Sequence, residues 1–323
     1  MEIFMEKKNL LQRMKNKVPV LFGMLSAVLY LVILNVSVLG IVYILGEGTE
    51  WDAYLLQFLG TAVGGIVLLL IALGIGYGKI FREKGRGILY SIGTGGYLLT
   101  VDGIALASNM GVYLLTEQHE LRPTQPALAI FIFILAMFGI GFAEELAFRG
   151  IFMNLLREKI STGTDRGIFL VLVIQGVFFG LCHMVNALGG ARLEGVIVQA
   201  IMASMLGILL GAIYLRTNNF WFAACLHAFN DFCALIPSGI YGIDNLTDTI
   251  SGYSWRNLVG APIYLLVIGI LLRRSKREEI KSGQIIELSV PLKVVKGILL
   301  TGISLFFIFL VFVSTLYVTW MGL

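Results

Sequence analysis

Residues 138–152 read FGIGFAEELAFRGIF. Two adjacent acids, Glu144 and Glu145, and a cation, Arg149, interrupt an apolar run from Ala127 to Leu156. That run is long enough to cross a bilayer, which takes about 20 residues as a helix. An ionised carboxylate at the centre of such a helix costs about 2.5–3.5 kcal/mol even on insertion scales. Each acid therefore needs a partner, water or a function, and an intramembrane ionisable residue is a functional hypothesis by default.

The rest of the chain agrees with a membrane reading. Of its 323 residues 58% are hydrophobic and only 14% charged, against about 25% charged in soluble domains. Helices are the expected spanning element because they satisfy their own backbone groups. The fold class is therefore an all-α polytopic membrane protein of about eight or nine transmembrane helices, with a polar active-site cavity inside the bundle. The net charge of +4 is small, and no nucleic-acid partner is expected. Cys182, Cys225 and Cys233 all lie in apolar segments, which does not suggest a disulfide framework. The first apolar run is too long for a signal h-region and has no small-residue cleavage site, so no removable leader is expected.

Nine spans can be drawn: Val18–Leu45, Tyr54–Tyr77, Ile88–Leu115, Ala127–Leu156, Ile168–Val185, Gly195–Leu215, Phe220–Ile236, Leu258–Leu272 and Ile298–Trp320. Basic residues then fall on every second connection. Lys7, Lys8, Arg13, Lys15 and Lys17 precede the first span, and Lys79, Arg82, Lys84 and Arg86 follow the second. Arg157, Lys159 and Arg166 follow the fourth, Arg216 the sixth, and Arg273, Arg274, Lys276, Arg277 and Lys281 the eighth. The intervening connections are acidic: Glu47, Glu50 and Asp52, then Glu117 and Glu120. By the positive-inside rule the N-terminus is cytoplasmic. The eighth span is the shortest. The charged stretch 273–293 reads as a solvated cytoplasmic loop.

Glu145 and Arg149 have the i, i+4 spacing of an ion pair on one helix face. Glu144 points about 100° away, free to face a cavity. A carboxyl group removed from water holds its proton to higher pH, which suits it to general-base duty near neutrality. A purely structural charge cluster is the alternative. Two histidines also lie within spans: His183 closes GVFFGLCH, and His227 lies in WFAACLHAFND with Asp231 four residues on. Counted from the inner span ends at ~1.5 Å per residue, Glu144 lies ~18 Å deep, His183 ~23 Å, His227 ~11 Å and Asp231 ~17 Å. All fall inside a ~30 Å core and suggest one buried polar pocket. His119, between Glu117 and Glu120, reads as solvated surface. Asp102 in the third span reads as the partner of a neighbouring polar helix or as a water site.

The set Glu144, Glu145 and Arg149 (E-E-x-x-x-R), Phe179 and His183 (F-x-x-x-H), and His227 and Asp231 (H-x-x-x-N/D) resembles the CPBP family. These are the CAAX-processing and bacteriocin-processing intramembrane endopeptidases, also called the Abi family. The run GILLGAIYLRTNNFWFAACLHAFND from Gly207 is similar to that family's approach to its last motif, and the resemblance covers Ala127 to about Pro237. It implies that Glu144 activates water, His183 assists it, and His227 with Asp231 serves the oxyanion of a tetrahedral intermediate. Glu145 and Arg149 take supporting positions, Phe179 is a cavity wall or core residue, and Asn230 neighbours the last motif. The family often has Asn where this chain has Asp231, and a carboxylate does not donate to an oxyanion. The implied organisation is a three-span N-terminal region (1–126), a four-span catalytic core (127–237) and C-terminal spans with the basic cytoplasmic loop (238–323).

The activity implied is an intramembrane protease cutting a peptide bond without a covalent intermediate, glutamate-dependent or metal-dependent. Two histidines and a carboxylate, His183, His227 and Glu144, suit Zn²⁺ with an open water position, although no H-E-x-x-H is present. Cys182 and Cys225 face away from the neighbouring histidines and are not read as ligands. No G-x-S-x-G or G-x-G-D frame supports a serine or aspartyl intramembrane protease. CAAX-type, pheromone and bacteriocin-related peptides and membrane-protein tails are the substrate classes considered. The expected setting is a bacterial cell membrane, with the lipid bilayer as surroundings and the oligomeric state left open. The alternative is a non-catalytic bacteriocin-immunity or membrane scaffold protein of the same fold. A transporter would show repeat symmetry, and none is visible.

Overall fold

The computed structural model describes residues 9–45, 53–115, 125–242 and 246–283. The ninth span, the acidic connections with His119, Lys7, Lys8 and the end of the 273–293 loop lie outside these residues. A short surface helix, α1 (Leu10–Lys17), opens on a capping box in which Asn9 and Gln12 bond each other's backbone N–H. The Asn9 side chain also donates to the carbonyl of Gly74 at 2.8 Å. The long helices follow: α2 (Pro19–Leu45), α3 (Ala53–Gly74) and α4 (Ile88–Leu115). Next comes α5 (Ala127–Lys159), then α6 (Asp165–Cys182), α7 (Leu193–Thr217) and α8 (Phe220–Ala234). The C-terminal part adds α9 (Leu246–Gly252), α10 (Ala261–Leu271) and α11 (Arg274–Ser282).

These helices form because the backbone has no other partner in hydrocarbon. Their outward faces remain apolar. On α2, Leu21, Leu25, Val28, Leu29, Val32, Val36 and Leu39 are exposed, whereas Phe22, Ser26, Ala27 and Tyr30 point inward. In water the first stripe would be an aggregation surface; here it faces lipid.

Among the described residues, five helices are long and apolar enough to span: α2, α3, α5, the α6 region to Ala187, and α7. A sixth arises if α9 and the segment Trp255–Leu271, bent by 76°, are taken as one. The nine-span expectation extends over residues beyond those described, its ninth span lying wholly outside them. The seventh segment is only 15 residues, α8, and much of it is buried, so protein rather than lipid surrounds it. The eighth is a 3-10 turn, Trp255–Gly260, leading into the 11-residue α10. The third forms its helix over Ile88–Leu115.

The basic connections do gather at one end of the bundle. Lys15 pairs with Glu158 at 2.7 Å, and Asn218 donates to Glu83 at 2.9 Å. Arg277 reaches Asp165 at 2.9 Å, and Lys281 also pairs with Asp165. Arg86 pairs with Glu279 at 2.8 Å. Burial works to raise the Glu279 carboxyl, but Lys276, Arg86 and Tyr90 outweigh it and hold the group below the usual glutamate range. A lowered folded value means the pairing stabilises fully above the ordinary value and is lost as pH falls through the lowered one. Amide exchange in residues 274–282 should therefore be pH-insensitive, after correction for intrinsic exchange, from 8 down to about 5 and accelerate below about 4.

Small residues set the helix spacing. A Cβ on Gly176 of α6 would lie 2.7 Å from the Ile208 amide nitrogen, and one on Gly207 of α7 would lie 3.0 Å from the Gly176 Cα. The Gly176/Gly180 and Gly207/Gly211 spacings let the two backbones touch. Gly141 does the same between α5 and α8. A Cβ there would meet Ala228 N at 2.7 Å and Ala224 O at 2.8 Å. Gly141→Ala is expected to cost about 1–3 kcal/mol of stability, measurable as earlier thermal unfolding in nanodiscs. It should also displace His227, one residue from the clash.

Candidate active site

Glu145 ends the α-helical part of α5, and the next eight residues, Leu146–Met153, are π-helical and all buried. A straight α-helix through this stretch was the simpler expectation. Nothing in the composition of LAFRGIFM signals the wider turn, yet π segments concentrate at functional sites. Arg149 Nη1 donates to Glu145 Oε1 at 2.7 Å, and both side chains are 0% exposed. Arg149 Nη2 donates to the carbonyl of Gly207 at 2.9 Å. That carbonyl also accepts from Gln175 Nε2 at 2.8 Å, so one backbone oxygen of α7 ties α5 to α6. The Phe179 ring lies 5.0 Å from the guanidinium carbon, within cation–π range.

Glu145 has a second duty that its spacing did not reveal. Its Oε1 also accepts from His227 Nδ1 at 2.9 Å. A carboxylate accepts, so the proton sits on Nδ1 and Nε2 is left to the cavity. There Nε2 lies 3.8 Å from Glu144 Oε2 and 3.7 Å from Asp231 Oδ2. Glu145 is wholly buried, whereas the Glu144 and Asp231 side chains keep 17% and 25% exposure. One acid of the pair is consumed inside the protein; the other faces open space.

The F-x-x-x-H spacing has a local cause. His183 follows the last turn of α6, where Nδ1 lies 3.0 Å from the carbonyl oxygen of Phe179. A carbonyl only accepts, so this nitrogen carries the proton and Nε2 presents a lone pair. The Phe179 ring meets the His183 ring edge-on at 4.8 Å and the His227 ring at 5.6 Å. Phe179 is thus a shared wall that fixes both imidazoles and the guanidinium beneath them.

These groups border one cavity of about 540 Å³. Its lining includes Glu144, Phe179, His183, His227, Asn230 and Asp231, together with Tyr30, Asn186 and Gln199. Glu145 and Arg149 lie behind it. Asn230 Nδ2 donates to Asp102 Oδ1 at 2.7 Å, so Asp102 is the partner of a neighbouring polar helix and clamps α4 to α8. Sequence reasoning missed Gln175 and Gly207, whose roles depend on a carbonyl that no motif marks. It also missed Tyr30, which sits alone in an apolar helix. Among the described residues no group of three His, Cys, Asp or Glu side chains is placed to hold a metal ion, and His183 and His227 each keep Nε2 free while Nδ1 is held by a protein oxygen. The steps below use the chain's own residues.

A family model described as type II CAAX prenyl endopeptidase Rce1-like matches residues 126–233. No curated protein and no solved structure matches the chain. The matched segment contains Glu144, Glu145, Arg149, Phe179, His183, His227 and Asp231. Over residues 126–233, about a third of its length, this multi-pass membrane protein is similar to the Rce1-like type II CAAX prenyl endopeptidases, a match that supports a CAAX-type membrane protease.

Proposed function

We propose that this CAAX-type membrane endopeptidase hydrolyses its peptide bond with a water activated by Glu144, without a covalent intermediate. The observation that carries this reading is the unequal burial of the adjacent acids: Glu145 is held by Arg149 and His227, while Glu144 opens on a cavity large enough for water and a peptide. Glu144 takes one proton from the water, and the His183 Nε2 lone pair accepts the hydrogen bond of the other. The resulting hydroxide adds to the scissile carbonyl. His227 Nε2, when protonated, donates to the oxyanion, with Asp231 beside it to balance the imidazolium. Collapse of the intermediate passes the Glu144 proton to the leaving amine and restores the carboxylate.

The substrate is proposed to be a CAAX-type, pheromone or bacteriocin-related peptide, or a membrane-protein tail, held in a bacterial cell membrane. The end carrying the basic connections is proposed to face the cytoplasm, which places the N-terminus there. The test compares the membrane proteome of cells expressing the wild type with that of cells expressing Glu144→Gln. Uncut termini should accumulate with the variant at equal expression. Indistinguishable termini in the two samples would remove the proteolytic reading.

A further inference from the structure

We propose that Tyr30 is a catalytic residue, its phenolic O–H donating a hydrogen bond to the oxyanion of the tetrahedral intermediate. The proposal rests on the hydrolytic reading above and adds to it a donor from outside the matched residues 126–233.

Tyr30 lies on the inward face of α2, eleven residues from its start and so about 17 Å along the axis, well inside the bilayer. It is 1% exposed, and its hydroxyl oxygen is buried with no hydrogen-bond partner. A buried hydroxyl without a partner lowers stability, and buried polar groups are otherwise nearly always paired. This one borders the same cavity as Glu144, His183 and His227. The charged groups that bear on it electrostatically are Glu144 and Asp231. Its ring is held in place by the missing side chain of Gly64 in α3, where a Cβ would lie 2.7 Å from the ring carbon Cδ2.

The motif residues bordering the cavity leave few donors for a developing negative charge. His183 Nδ1 is engaged with the Phe179 carbonyl, His227 Nδ1 with Glu145, and Asn230 Nδ2 with Asp102. Asp231 as a carboxylate only accepts. Of these motif groups His227 Nε2 remains to donate, and one donor is a weak oxyanion site. Tyr30 supplies a second: a preorganised O–H that needs no titration to act near neutral pH. It transfers no proton. The hydrogen bond forms as the carbonyl oxygen becomes an oxyanion and relaxes when the intermediate collapses.

The test uses the full chain in nanodiscs with a library of peptides spanning the host membrane proteome, including prenylated C-termini, and mass spectrometry as readout. Wild type, Tyr30→Phe and Glu144→Gln are compared on every peptide the wild type cuts. Tyr30→Phe keeps the ring and removes only an unpaired hydroxyl, so its thermal unfolding should be unchanged or later. Its kcat should fall about 10²–10³-fold with KM nearly unchanged, as for removal of one oxyanion donor. Wild-type kcat in Tyr30→Phe beside an inactive Glu144→Gln overturns the role of Tyr30 and leaves the hydrolytic reading standing. A loss confined to KM overturns it as well, since it assigns Tyr30 to ground-state binding. A wild type that cuts no more than Glu144→Gln sinks both.

Discussion

Arg149→Ala is expected to remove most of the folded protein. The guanidinium is fully enclosed and joins three elements: Glu145 on its own helix, the Gly207 carbonyl on α7 and the Phe179 ring on α6. Its loss leaves the buried Glu145 carboxylate with His227 as its remaining partner, on Oε1, while Oε2 already lacks one. Breaking a buried pair from one side costs about 3–5 kcal/mol, a large part of the stability of an ordinary domain, about 5–15 kcal/mol. Recovery of monodisperse protein from detergent extracts is the direct measure. The double change Glu145→Gln with Arg149→Met should be milder, because neither partner is then left charged and alone. Normal yield from Arg149→Ala would mean that the pair does not hold the bundle.

Glu144→Gln should have the opposite signature: an intact fold and no useful turnover. The amide keeps the size and shape of the acid, and it removes a negative charge that lies beside Glu145 and near Asp231. Unfolding temperature should therefore hold or rise. What is lost is the group that accepts the water proton, and general-base catalysis contributes about 10²–10⁴-fold. Because the same group reprotonates the leaving amine, the expected fall in kcat lies at the upper end of that range or below detection. Purified protein in nanodiscs, assayed on peptides cut by the wild type, measures it. A Glu144→Gln enzyme that still cleaves, together with a stable Arg149→Ala, would show that the adjacent acids do not divide their work as described.

Much of the site was visible along the chain because its parts are local. Glu145 with Arg149 is an i, i+4 pair, and Phe179 with His183 is another, closed by a side chain bonding to the carbonyl one turn back. Both follow from helical pitch once the segment is known to be helical. The count of spans was less legible. Hydropathy cannot tell a segment apolar because lipid surrounds it from one apolar because protein does, and α8 and α10 are too short to span alone.

The composition and the buried charges of 138–152 were enough to settle a helical membrane protein, since hydrocarbon leaves the backbone no alternative and leaves an acid no reason to be there without a partner or a task. The family resemblance from Ala127 to about Pro237 was also readable, carried by its three motifs in order. Tertiary structure alone decided that Glu145 holds His227 as well as Arg149, that Asn230 is taken by Asp102, and that Tyr30 reaches the cavity from a helix more than a hundred residues away. Those relations depend on which faces of separate helices meet. That choice rests on close approaches at Gly64, Gly141, Gly176 and Gly207, where the information is the absence of a side chain and its meaning depends on what arrives from elsewhere in the fold.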